Sequence, residues 1–329
     1  MLSRRLKLVV PVALSLLLAA CGQEAEKKSA KTLYLEGYQQ LSAPTAQYNF
    51  NADIKLDGHQ LEPMLADVKL TLKGAADIER KKFEIIPEVK AAMFQITLPL
   101  SLDLKQQHLM LDPSDIISAM QMFQPGASGV VERYKNKYVR LQKASFKLDE
   151  EQQQEVDSAL GVAGEVLDIV FDVAEKVSQD LPESSFQLQE LGDSGKHAGA
   201  VTAVTLTLTA EQRKKLEDDM YIQVRQRITE SDSIPDEIKE NIIVAMEEAK
   251  AAEQVQENTD SIIYLNDKGQ IVRINDRYAY TVEGKQALVD LHVVLSNYGQ
   301  AQFVITPPEE RIIDLDEEEI AIIQFLMGK

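Results

Sequence analysis

The sequence predicts an α+β fold built on an antiparallel sheet, and three observations carry that prediction. Apolar and polar residues alternate with a period of two through several separate segments, the mark of half-buried strands. Other stretches carry apolar residues at spacings of three and four, the mark of helices with one buried face. Strands and helices also come in groups, and one pair of strand patterns flanks Asn266-Asp267-Lys268-Gly269, a strong hairpin signal. Grouping of this kind argues for antiparallel pairing.

At the amino terminus Arg4, Arg5 and Lys7 open an apolar run from Leu8 to Leu18, broken by Pro11 and Ser15 and free of acidic residues. This is the layout of a secretory leader, and the run is short for a membrane span. Residues Leu18-Ala19-Ala20-Cys21 resemble the lipobox of bacterial lipoproteins. The resemblance implies a signal peptide over 1–20, a thioether-linked diacylglycerol on Cys21, and an acyl group on the new amino terminus. Two or three acyl chains make detachment from a membrane negligible, whereas one would be marginal. An ordinary leader, or an inner-membrane anchor, with Cys21 a free thiol is the alternative. Gly22 stands where lipoproteins retained at the inner membrane of enteric-type bacteria carry aspartate, so the resemblance implies the outer membrane, facing the periplasm. Residues 21–30 then form the acylated cysteine and a polar tether, and 31–329 a single domain.

Taken in order, the spacing predicts a helix over Lys31–Leu41 and a strand over Tyr48–Leu56, where Tyr48, Phe50, Ala52, Ile54 and Leu56 share one face. Val68, Leu70 and Leu72 repeat the pattern, and Phe83–Ile86 is another short strand. The clearest strand places Phe94, Ile96, Leu98, Leu100, Leu102 and Leu104 on every second position. At roughly 3.3 Å per residue it would reach about 35 Å, enough for one wall of a curved sheet. Pro99 lacks a donor, which predicts an edge position or a bulge.

Asp112-Pro113 then opens a helix, with Asp115 as the capping-box acid and Ile116, Met120 and Phe123 as its stripe. A loop over Gln124–Val130 and a short strand at Tyr138–Leu141 lead to a long helix from an Asp149/Gln152 cap. Its broad apolar surface, from Val156 to Val177 and including Phe171, predicts cover on much of its circumference. Strands at Phe186–Leu191 and Ala200–Leu208 follow, then a helix capped by Thr209 and Gln212 with Leu216, Met220, Val224 and Ile228 in line. A second helix carries Ile238, Ile242 and Met246. Strands at Ile262–Leu265, Ile271–Ile274, Tyr278–Val282 and Ala287–Leu295 continue the sheet, and a terminal helix is predicted from Leu315 onward.

Three stretches carry a further likeness: Ala200–Leu216, where a strand turns directly into a helix; Ile262–Ile274, around Asn-Asp-Lys-Gly; and Asn297-Tyr298-Gly299 through Pro307, read as a last strand ending at prolines. With the lipobox in front, this order resembles carriers of the LolA/LolB type and the mycobacterial lipid-transfer lipoproteins. The resemblance implies a half-open barrel covered by helices, holding acyl chains between the two, with no catalytic residues. This chain is longer than the Lol proteins and has no tryptophan, so a role in lipoprotein sorting is not carried over.

Composition narrows the function classes. A net charge of −18, more negative once the basic leader is removed, excludes nucleic acid as a partner. Cys21 is the only cysteine, so its acylation leaves no thiol for a disulfide, a zinc site or a nucleophile. His59, His108, His197 and His292 fit no zinc spacing, and no Gly-x-Ser-x-Gly elbow occurs. The expectation is a protein that is not an enzyme and needs no metal or cofactor. His108 and His292 read as strand residues on a polar or interface face. The acids from Asp314 to Glu319 suit the first turn of a helix rather than calcium. Phe94, Ile96, Leu98, Leu100, Leu102, Met120 and Phe123 are the candidate lipid-binding residues, with Met93, Met110 and Met122 close by in sequence. Methionine adapts to irregular ligands. The same residues would equally fill a core, in which case the protein docks an envelope partner and holds no small ligand.

Overall fold

The computed structural model of the chain describes residues 28–57, 68–91, 95–106, 108–123, 132–142, 150–251, 256–257, 260–282 and 285–314. Cys21, the leader, Phe94, Asp149 and the predicted terminal helix lie outside the described residues. The architecture is α+β: a large, open, curved sheet with α-helices, the short helix Asp193–His197 placing Gly195 against Tyr264 on the face away from the main core.

The described strands are β1 (Gln47–Asp57), β2 (Val68–Asp77), β3 (Lys82–Lys90), β4 (Gln95–Thr97), β5 (Leu100–Asp103), β6 (His108–Leu111), β7 (Tyr138–Gln142), β8 (Phe186–Gln189), β9 (Thr202–Thr207), β10 (Gln256–Glu257), β11 (Asp260–Leu265), β12 (Ile271–Val282), β13 (Lys285–Ser296) and β14 (Ile312–Asp314). They join one sheet in the order β14-β7-β6-β5-β3-β2-β1-β13-β12-β11-β9-β8, with β4 beside β3 and β10 beside β12. The helices are α1 (Ala30–Ser42), α2 (Ser114–Phe123), α3 (Glu150–Gln179), α4 (Asp193–His197), α5 (Ala210–Glu230) and α6 (Asp236–Ala251).

The predicted long strand is divided. Its parts, β4 and β5, both pair with β3 in one continuous register, Ile96 opposite Val89 and Leu100 opposite Ile85. At the break, Leu98 N donates to Pro87 O and Asp112 N donates to Pro99 O, so the acceptors stay in use although Pro99 offers no donor. Beyond the proline, β5 lies inside the sheet, between β3 and β6. A second correction concerns α2. Asp112 does cap it, accepting from Ser114 N, but Asp115 does not close a capping box; its carboxylate accepts from Thr97 N at 2.8 Å and ties the helix to β4. The Thr209/Gln212 capping box of α5 forms as predicted.

The Asn266 turn also forms. Its side-chain oxygen accepts from Lys268 N and Gln270 N, and Gly269 takes φ +74°, which glycine permits without strain. The strands predicted at Ile271–Ile274 and Tyr278–Val282 are one strand, β12. Between them Asn275 and Asp276 are laddered on both sides, by β11 and β13, and Arg277 pairs with Asp290 of β13.

After β13 the prediction of another strand fails. Residues 301–308 make no ladder and cross the outer face of the sheet as a strap. Asn49 and Gln302 exchange hydrogen bonds, and the buried Glu84 carboxylate accepts from Val304 N and Ile305 N. The Lys82 ammonium lies over the Phe303 ring. The strap ends at β14, which pairs with β7 in parallel, the one departure from antiparallel order among the described strands. Arg140 on β7 binds Glu309 and Asp314 and is held firmly charged by them.

On the inner face α1 lies directly on β8, β9 and β12. Tyr34 joins Leu181, Phe186, Val204, Ile263, Leu265 and Ile271 in the main core. A second core lies among helices: Val162, Ile169, Val173 and Val177 of α3 meet Val224 and Ile228 of α5, with Ile238, Ile242 and Met246 of α6 around them. Lys31 ties the two layers by donating to the Gln179 and Leu181 carbonyls at the end of α3, where a cation also suits the helix dipole.

Candidate functional site

Strand register decides what faces the helices. Tyr48, Ala76, Phe83, Leu102 and Leu109 stand opposite one another across β1, β2, β3, β5 and β6. Phe50, Gly74, Ile85, Leu100 and Leu111 form the adjacent row. Gly74 is required here: a Cβ would lie 2.0 Å from the Glu84 carbonyl oxygen and 2.5 Å from the Phe50 ring, which covers the glycine.

Above these rows α3 packs with α1 and α5 and stands off the strands, leaving a cavity of about 480 Å³ lined by Phe50, Phe83, Leu100, Leu102, Leu109 and Phe171, among others. That size lies within the roughly 300–1,000 Å³ usual for small-molecule sites. It opens to solvent beside Phe171, which is 50% exposed, and Ile85, which is 41% exposed. Phe171 therefore does not pack into the helix core as its place in the sequence pattern predicts. Ser42, Tyr48 and Phe171 also border a second lobe of about 320 Å³ between α1 and α3. Burial raises the Tyr48 hydroxyl above its ordinary pKa.

Of the residues predicted to bind lipid, Leu100 and Leu102 line the cavity. Ile96 and Leu98 share their strand run but are not among its lining, because they lie past the Pro99 break. Met120 and Phe123 belong to α2, the helix fastened to β4, and Phe94 lies outside the described residues. Met110 is opposite Ser101 in the ladder, which puts it on the outer face, away from Leu100 and Leu102. Phe83, Ile85, Leu109 and Phe171 were missed as site residues. Alternation marks Phe83 and Ile85 as one strand face, but only the ladder sets that face beside Leu102 and Leu100.

The inner face also holds a polar group under α1. Asp276 accepts from Tyr278 Oη at 3.0 Å, and Ser261 stands opposite it in the ladder. Burial raises the Asp276 carboxyl above the ordinary range, against the lowering effect of hydrogen bonds from Ser261 and Tyr278. Burial likewise pushes Tyr38 well up, with Tyr34 and Asp276 adding to it. His292 lies on the outer face in contact with Asn275, and His108 lies opposite Asp103 there. Burial, foremost, lowers the pKa of His108. Among the described residues no group of three or more His, Cys, Asp or Glu side chains is placed to hold a metal ion, and no helix is long and apolar enough to cross a membrane.

No protein-family model and no curated protein matches the chain.

Proposed function

We propose that this chain is an envelope lipoprotein, tethered to the periplasmic side of the outer membrane through Cys21, that holds a lipid or similar hydrophobic ligand between α3 and the sheet. The sheet serves as a half-open barrel and α3 as its cover. The observation that carries this reading is the apolar cavity with its open apolar lip. Exposed Phe171 and Ile85 both line the cavity, so an apolar ligand entering it would cover them. The lipobox-like Leu18-Ala19-Ala20-Cys21 supplies the membrane.

The two parts are tested separately. Protein starting at residue 22, purified without detergent and extracted with organic solvent, should yield stoichiometric phospholipid or fatty acid by mass spectrometry. Leu102→Trp, which fills the cavity, should carry less, and ligand-free wild-type protein would sink the carrying role. For the anchor, Cys21→Ser in the full chain should abolish metabolic labelling with palmitate and leave an uncleaved precursor. Persistent labelling, or recovery with the inner membrane on fractionation, would overturn that part.

A further inference from the structure

The 480 Å³ lobe has two charged groups in its lining, Lys81 and Asp168. Lys81 ends the turn between β2 and β3 at φ +51°, an uncommon conformation for a long side chain. Its backbone is held on both sides, its N–H donating to Ile78 O and its carbonyl accepting from Leu104 N. The side chain thereby reaches α3: a Cβ at Gly164 would lie 3.8 Å from Lys81 Nζ. Asp168 is four residues after Gly164, on the same helix face one turn on.

The neighbours of Lys81 are occupied otherwise. Arg80 pairs with Asp77 at 3.7 Å, and Lys82 lies over Phe303. Among the described residues neither Lys81 nor Asp168 makes an ion pair or side-chain hydrogen bond, with each other or with any third group. Both side chains are exposed, so water solvates them in the free protein, and two unlike charges border the mouth of one apolar cavity.

From this we propose that the ligand is a diacyl phospholipid with a zwitterionic head, its phosphate on Lys81 and its ammonium on Asp168; the assignment rests on the lipid-carrying reading above. A zwitterionic head offers an opposite charge to each at once, whereas an anionic head offers none to Asp168. The two lobes, which meet at Ser42, Tyr48 and Phe171, suit two chains. The inner face also continues beyond the cavity through the rows of Ala52 with Leu72 and Ile54 with Leu70. From Tyr48 to Ile54 this gives about 20 Å of mostly apolar floor at roughly 3.4 Å per residue, enough to lie along an acyl chain.

The test uses the full chain in a sugar-based detergent, offered equal amounts of phosphatidylethanolamine and phosphatidylglycerol with the same tails, with bound lipid read by native mass spectrometry. Wild type should prefer phosphatidylethanolamine by about tenfold, the equivalent of one charge-assisted contact. Lys81→Gly, which suits the left-handed backbone and so preserves the fold, should weaken binding of both lipids alike, since both carry the phosphate, and Asp168→Lys should reverse the preference. Free phosphoethanolamine should not compete, since it has no tails for the cavity. Equal binding of both lipids by wild type, unchanged binding in Lys81→Gly, unchanged preference in Asp168→Lys, or displacement by a single-chain fatty acid at equal concentration would overturn the headgroup assignment while leaving the carrying role intact. Failure of wild type to bind any lipid would end both.

Discussion

On the β8 to β13 side of the sheet, α1 rests on the strands, and Val204, Ile263 and Ile271 have no solvent exposure at all. On the β1 to β6 side, α3 spans above Leu100, Leu102 and Phe83, and the space between is a cavity. Both sides have apolar inner rows of similar alternation. They differ in the helix and how near it comes. Gly37 lets α1 settle, since even a Cβ there would come within 3.0 Å of Ile271 and Leu265 side-chain atoms. The part of α3 over the other half presents Gly164 and Asp168, which do not reach the floor, and Phe171, which stays at the lip. An apolar strand face thus becomes core or pocket according to what the opposite helix brings to it.

If that contrast is right, the same kind of truncation will cost different amounts on the two sides. Ile263→Ala removes a fully buried side chain from close packing and should lower stability by roughly 4 kcal/mol, read from the urea midpoint. Next in size is the strap. Glu84→Ala leaves the Val304 and Ile305 amides without their acceptor and should cost about 2 kcal/mol, with faster hydrogen exchange at those two positions. Leu102 is only half-buried and Leu102→Ala only enlarges an existing space, so about 1 kcal/mol is expected, below what fully buried leucine truncations cost. A loss at Leu102 equal to that at Ile263 would break the comparison and show the cavity side to be as tightly packed as the other.

Asp276 sharpens it from the filled side. Its pKa is raised by burial, so between its unfolded and folded values the folded chain binds more protons than the unfolded one. Stability from this group is therefore fully present below the ordinary carboxylate range and is lost as pH rises through the folded value. Asp276→Asn cannot ionise. It should match wild type in acid and exceed it at about pH 7, by less than any of the losses above, in paired denaturation curves. A variant less stable than wild type at neutral pH would mean that the charged form is the one the core accommodates.

Much of the secondary structure was legible because its signals are local. The Thr209/Gln212 box and the Asn266 turn satisfy backbone groups within a few residues, and the stripes of α5 and α6 face the core they predict. The candidate site was legible only in part. Leu100 and Leu102 could be picked out as one apolar face, yet Met110, near them in sequence, faces the other way because a single position in β6 changes sides. Asp115 has the spacing of a capping acid, but a neighbouring strand end offers Thr97 N as its donor. Asn275 to Arg277 interrupt the apolar alternation, yet the ladders to β11 and β13 carry one strand through them. Lys81 carried no signal at all; its reach to α3 comes from a turn geometry and from a glycine more than eighty residues away.

By itself the sequence determined the class of the fold, most of its elements, the acidic surface, and a lipobox-like Cys21 that no structural argument is needed to notice. Those are properties of neighbouring residues, written in periods of two and of three to four and in caps and turns of a few positions. The tertiary structure alone decided the strand order, the strap over the outer face, and which apolar face would be sealed and which left open. The reason is physical: whether a row of leucines meets a helix or a space depends on side-chain volumes and helix seating supplied by segments far away in the chain, and no local pattern records that distance.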